Sequence, residues 1–255
     1  MKKKLFLLSL FALSFICFAG CGNDEGNKNE VSKDEYELQY NAAIAESFLN
    51  TEYNYDFKYV YVETSEGKET TNPNSDNPIV VNIERGLNCD ASFDADNRIF
   101  DETAEGNYNN HLVYFNQDGY PYTYSGGNKY FQNYSVEWNV EHRLDNFLST
   151  DRIPDEARYY VDGNSFTIEA HTIIHNMMGD AEYGTQDITQ TLTITFNGDE
   201  ITAVSVLVYS EYYNETSPYM PNTLCEGVIE YTATFTKCNV ELTVSQEILD
   251  AERVN

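Results

Sequence analysis

His171 and His175 are the first pair in this 255-residue sequence to test for chemistry, because imidazoles four residues apart on a helix meet at one metal ion. The surrounding FTIEAHTIIH does not have helical period. Phe166, Ile168, Ala170 and Ile174 alternate with Glu169, His171 and His175, the pattern of a strand with one apolar and one polar face. On a strand the two histidines stand about 13 Å apart, too far to share one zinc with metal–nitrogen bonds of about 2 Å. They read as surface histidines. Asp94, Asp96, Asp101 and Glu102 have calcium-ligand chemistry, but the spacing lacks the sixth-position glycine of a calcium loop, where Ile99 stands. They read as an acidic hairpin turn. Neither a nucleophile elbow nor a phosphate loop nor a dinucleotide fingerprint occurs. The expectation is a protein that is not an enzyme, with no catalytic residue, no metal and no cofactor.

Tyr53, Tyr55, Phe57, Tyr59 and Tyr61 carry the most unusual pattern. Alternating with Asn54, Asp56 and Lys58, they put five aromatic rings on one face of a strand. Such a ladder can line a pocket for an apolar or flat ligand, since tyrosine pairs a large apolar body with a polar tip. The plainer role is to cover the core beneath the first helix, and both hold if the sheet curves enough to leave a cavity. The two roles separate by substitution: in a pocket, Phe57→Asp and Tyr59→Asp empty the site and leave the fold intact. In a core they unfold it.

The elements that position these residues are mostly strands. Ser32 and Glu35 have capping-box spacing, and Tyr36, Tyr40, Ala43, Ile44 and Phe48 recur on one helical face that Asn50 closes. Period two follows. Residues 79–93 read as a long strand ending in the turn Asp94–Asn97, and 111–115, 120–124 and 129–134 as further strands. A second helix is predicted over about 136–148, on the spacing of Val140, Leu144, Phe147 and Leu148. Residues 157–161 and 165–175 flank Asp162-Gly163-Asn164, and 189–196 and 201–209 flank Asn197-Gly198-Asp199-Glu200. In the last strand the apolar phase flips from Ile229, Tyr231, Ala233 and Phe235 to Cys238, Val240, Leu242 and Val244, which predicts a bulge or tight turn at Thr236-Lys237. Ser245 caps a short terminal helix. About ten consecutive strands without strand–helix alternation exclude a parallel α/β sheet.

The first residues have another character. Lys2, Lys3 and Lys4 precede an apolar run, Leu5–Phe18, of about 14 residues, short of the roughly 20 that span a bilayer. Phe18-Ala19-Gly20-Cys21 resembles the bacterial lipobox, in which a small residue precedes an invariant cysteine; Phe18 stands where leucine is usual. The resemblance implies cleavage after residue 20 and a diacylglyceryl group on Cys21. Two acyl chains hold a protein on a membrane where one holds it only reversibly. The expected organisation is a signal peptide over 1–20, a lipidated cysteine and flexible tether over 21–31, and one antiparallel β-rich domain over 32–255. The expected place is the cell membrane, lipid-anchored on its extracytoplasmic face.

Composition narrows the partners. With 15 Lys+Arg against 42 Asp+Glu, the net charge is −27, and loss of the three leading lysines makes it more negative. Such a surface repels phosphate backbones, which excludes nucleic acid. It favours cations or basic peptides. Cys89, Cys225 and Cys238 remain beyond the anchor, an odd number that is no disulfide framework and contains no metal-type pair; they read as buried small hydrophobes.

The order of elements over about residues 32–250, an amphipathic helix and then a long antiparallel meander, resembles the LolA-like and mycobacterial LppX-type lipoprotein carriers. That resemblance implies a mainly β (α+β) fold, a curved half-barrel whose apolar cavity takes a lipid or lipopeptide, with the ladder of Tyr53, Tyr55, Phe57, Tyr59 and Tyr61 on its wall. Against it stands a second expectation, an acidic β-rich module that contacts another envelope or host protein.

Overall fold

The computed structural model describes residues 29–49, 55–71, 76–126, 129–132, 148, 156–178, 181–214 and 223–254. The fold is mainly β: a long antiparallel, curved half-barrel-like meander with one helix near its start. The strands are β1 (Glu30–Val31), β2 (Phe57–Thr71), β3 (Ile79–Asp94), β4 (Ile99–Gly106), β5 (Asn110–Gln117), β6 (Tyr120–Ser125), β7 (Lys129–Gln132), β8 (Arg158–Asp162), β9 (Ser165–Met178), β10 (Ala181–Asn197), β11 (Glu200–Asn214), β12 (Thr223–Lys237) and β13 (Glu252–Val254). The helices are α1 (Lys33–Glu46) and α2 (Gln246–Leu249).

Among the described residues they form one 13-stranded sheet in the order β1-β8-β9-β10-β11-β12-β2-β3-β4-β5-β6-β7-β13. Two meanders, β2–β7 and β8–β12, are thus joined in the middle by their first and last strands, β2 beside β12. Every neighbouring pair is antiparallel except β7 with β13. Glu30 and Val31, assigned by composition to the tether, pair with Tyr160 and Tyr159 in the sheet, so the folded unit begins ahead of Ser32.

Helix α1 starts as its spacing requires. The Ser32 hydroxyl accepts from Glu35 N at 3.2 Å, and Asp34 and Glu35 favour the positive end of the helix dipole. Tyr36 and Tyr40, one turn apart, are 0 % and 4 % exposed and stack with ring centroids 5.8 Å apart. They press on Phe166, and Tyr40 also meets Phe196. Phe48, just beyond the helix, packs on Phe57. Each such ring pair adds about 0.5–1.5 kcal/mol to the area it buries. The helix therefore seals one end of the sheet's inner face.

A second core lies on the opposite, outer face. Ile99, Val113, Phe115, Tyr122, Tyr124 and Tyr130 are covered there by Ile248 of α2 and by Leu242 and Val244. The phase flip at Thr236-Lys237 is not a bulge. Strand β12 ends at Lys237, and residues 238–245 lie outside the sheet ladder. The flip marks the chain's move from the inner face to the outer one. Two aspartates hold it there: Asp56 Oδ2 accepts from Val240 N at 3.1 Å, and Asp94 Oδ2 accepts from Leu242 N at 2.8 Å. Ser245 caps α2, as its position predicts. The second helix expected over 136–148 lies outside the described residues apart from Leu148, whose carbonyl accepts from the Tyr40 hydroxyl at 2.6 Å.

Candidate functional site

Cross-strand register sorts the inner face into rows, and burial falls along them. Nearest the helix is the row Phe196–Ile201–Phe235–Tyr59–Ala91, each residue under 10 % exposed. Next comes Ile194–Ala203–Ala233–Tyr61–Cys89, sealed except at Tyr61, which is half-buried. The following row, Leu192–Ser205–Tyr231–Glu63–Leu87, admits the first acid. Beyond it lie Gln190–Leu207–Ile229–Ser65–Arg85 and then Ile188–Tyr209–Gly227–Gly67–Ile83, whose side chains are half-buried or exposed.

The aromatic ladder is divided by this gradient. Phe57 and Tyr59 are 2 % and 4 % exposed and belong to the core under α1, against Phe93 and Phe235. Of the two roles open to them, Phe57 and Tyr59 have the surroundings of the core, where a buried aspartate is expected to unfold the protein. Tyr55 precedes the strand, half-buried beneath the Lys237 ammonium at 4.2 Å from its ring centroid. Tyr53 and Cys21, the expected anchor, lie outside the described residues. Of the four described ladder residues, Tyr61 alone stands where sealed core meets open face. Its ring stacks on Tyr59 at 6.3 Å and meets Tyr231 at 6.2 Å, and its hydroxyl donates to Glu63 Oε2 at 2.5 Å. Burial, then the Glu63 hydrogen bond and the nearby Glu63 charge, push the Tyr61 phenol well above its ordinary range, so it stays a proton donor.

The outer rows surround a half-open cavity of about 270 Å³ lined by Ser65, Gly67, Ile83, Arg85, Gln186, Tyr209, Gly227 and Ile229. Its floor is backbone. Gly67 and Gly227 face each other across β2 and β12, and a Cβ on Gly67 would lie 2.6 Å from Glu226 O. Since a backbone carbonyl cannot swing aside, Gly67→Ala is expected to destabilise the protein by about 1–3 kcal/mol. The expected sign is a lower urea midpoint at unchanged slope. Gly227→Ala, whose nearest atom is 3.0 Å away, is expected to lose less. On the outer face the same glycines floor a shallower depression bordered by Lys68, Asn82, Glu84 and Val208.

Of the other residues with chemical potential, His171 Nε2 lies 2.6 Å from Asp187 Oδ1 on the outer face, with His175 two positions further along that face. Asp94 is 1 % exposed, and its oxygens accept from Asn97 N, Asn97 Nδ2 and Leu242 N. Asp101 pairs with His111 at 2.8 Å. Glu102 faces the inner side, away from Asp101. These acids serve the fold rather than one shared centre. Among the described residues no group of three or more histidine, cysteine, aspartate or glutamate side chains has metal-site geometry. Nor, among them, is any helix long and apolar enough to cross a membrane.

Sequence reading missed Arg85 and Gln186 in the cavity lining and Glu63 beside Tyr61, while it placed Tyr209 and Tyr231 on strands without singling them out. The signal within reach was the pair of isolated glycines inside strand patterns, which mark a close backbone approach. No protein-family model matches the chain, and no curated protein matches it either.

Proposed function

We propose that this chain is an exported lipoprotein, anchored through Cys21 on the extracytoplasmic face of a cell membrane, that binds an apolar ligand such as a lipid or lipopeptide without catalysis. The observation that supports the binding is the stretch of inner face that, among the described residues, α1 does not cover, where Ile83, Tyr209 and Ile229 border a cavity floored by Gly67 and Gly227. Its volume lies just below the roughly 300–1,000 Å³ of ordinary small-molecule sites. The anchor is supported by the lysine cluster, the apolar run and the segment Phe18–Cys21.

Native mass spectrometry of the full protein, followed by solvent extraction, tests the binding. The expected result is a stoichiometric apolar adduct that Ile229→Asp, in the cavity lining, removes while the circular dichroism spectrum is retained. A bare mass, unchanged after incubation with envelope lipids, overturns it. For the anchor, Cys21→Ser is expected to abolish incorporation of labelled fatty acid.

One observation favours the second reading, an acidic module that adds a partner's strand. Among the described residues β4 pairs with β3 only over Leu87–Asp94, and β8 pairs with β9 only over Ser165–Glu169. The outer halves of β3 and β9 are thus left as edges, with Ile79, Val80, Val81, Ile173 and Ile174 exposed. Unpaired edges are templates for strand addition. A partner whose binding weakens with salt and is lost in Val80→Pro would support this reading.

A further inference from the structure

We propose that Arg85 holds the head group of a single-chain anionic amphiphile, a carboxylate or a phosphate monoester, whose alkyl part lies over the Gly67–Gly227 floor of the inner cavity. The inference rests on the binding reading above and names the class of ligand.

Arg85 sits on β3 opposite Ser65 and, among the described residues, is the only lysine or arginine lining the cavity; Glu66 and Glu226 also line it, but at strand positions that alternate onto the outer face. In a chain with 42 acidic and 15 basic residues, a cation ordinarily finds a carboxylate. Arg158 does so, 3.3 Å from Glu169, while Lys237 and Arg253 lie over the rings of Tyr55 and Tyr122. Arg85 has no hydrogen-bond or ion-pair partner among the described residues. The closest inner-face acid in register, Glu63, lies one row nearer the core and takes the Tyr61 hydroxyl. Tyr209 feels that acid as well: burial and then the Glu63 charge push its phenol up, which keeps it a hydrogen-bond donor at the cavity wall. Arg85, Ser65, Gln186 and Tyr209 therefore bring donors to one space, and a guanidinium presents two parallel N–H groups to two anionic oxygens.

The rest of the cavity suits a chain. The row Tyr209–Gly227–Gly67–Ile83 has side chains only at its ends, three strand spacings or about 14 Å apart. The close approach of the two backbones enforces the gap, since a Cβ on Gly67 would meet a carbonyl. Ile229 and Ile83 border the bare floor. About 270 Å³ is room for one slender chain segment.

The test titrates the full chain by calorimetry with dodecanoate, dodecyl phosphate and dodecan-1-ol, using wild type, Arg85→Gln and Arg85→Lys. The expected result is that one or both anions bind at least ~10-fold tighter than the alcohol, and that Arg85→Gln removes this preference without weakening the alcohol. Arg85→Lys is expected to restore part of it, because the charge returns without the two-pronged geometry. Which anion binds tighter tells carboxylate from phosphate. If the alcohol binds as well as both anions and Arg85→Gln changes nothing, the Arg85 assignment falls and apolar binding stands. If none of the three binds, both fall. Circular dichroism of each variant confirms that the exposed position is folded.

Discussion

Phe57→Ala is expected to lower folding stability by about 3–5 kcal/mol, the loss typical of a buried phenylalanine truncated to a methyl. The ring is 2 % exposed and lies between Phe48, 6.5 Å away by centroids, and Phe93, 5.2 Å away. Removing it opens a void at the contact between α1 and β2–β3. Tyr61→Ala, four residues along the same face, is expected to lose less than half as much, since that ring is half-buried at the margin of the sealed core. It should instead weaken ligand retention. Urea unfolding of both variants beside native mass spectrometry separates the roles. Equal destabilisation at both positions would mean that the boundary between core and site does not lie at Tyr61. Such a pair of substitutions tests the gradient itself, which is the basis for placing any ligand beyond the helix.

Asp94→Asn is expected to destabilise the protein by about 3 kcal/mol at neutral pH. Three donors converge on this side chain: Asn97 N at 2.8 Å, Asn97 Nδ2 at 2.9 Å and Leu242 N at 2.8 Å. Hydrogen bonds to a charged group contribute about 1.5–3 kcal/mol each, and the exposed Asn97 turn recovers part of the loss from water. Burial acts to raise the Asp94 carboxyl, but the backbone donors of Asn97 and Leu242 outweigh it and hold the group below its ordinary range. A lowered folded value means that the unfolded chain binds the proton more readily. The stabilisation is therefore complete above about pH 5 and fades as pH falls through the unfolded value near 4 and then through the lower folded one. Stability curves of wild type and Asp94→Asn, measured by thermal unfolding from pH 7 to pH 3, are expected to converge on the acid side. A gap that stays constant with pH would place the effect in packing rather than in the charge. The same substitution should loosen residues 238–244, because Leu242 then loses its anionic acceptor.

Much of the architecture was readable from local pattern. Ser32 and Glu35 announce α1, and the Asn197-Gly198 hairpin appears where its residues require, with Gly198 at φ 60°. Strand β4 was not legible. In IFDETAEG the acid Glu102 occupies an inner-face position and is 4 % exposed, so the apolar alternation that identifies a strand is broken. Strands β1 and β13, of two and three residues, are too short to carry any period and exist only because an edge is there to pair with. The acids Asp94 and Asp101 looked like one cluster in sequence, but each is occupied by its own partner in space.

By itself the sequence determined the class of fold, the helix at its start, the phase change after Phe235 and the acidic net charge. These depend on neighbours a few residues apart, where backbone periodicity and turn chemistry act directly. Which of the five ladder aromatics is core, and where the open face begins, only tertiary structure decided. Burial of Phe57 and Tyr59 depends on how far α1 reaches across strands that are distant in sequence. The cavity depends on β12 lying against β2, a pairing between residues more than 150 positions apart that brings Gly227 to Gly67 and leaves Arg85 at the edge of a bare floor. Alternation says which residues share a face; only the closed register says which of them share a space.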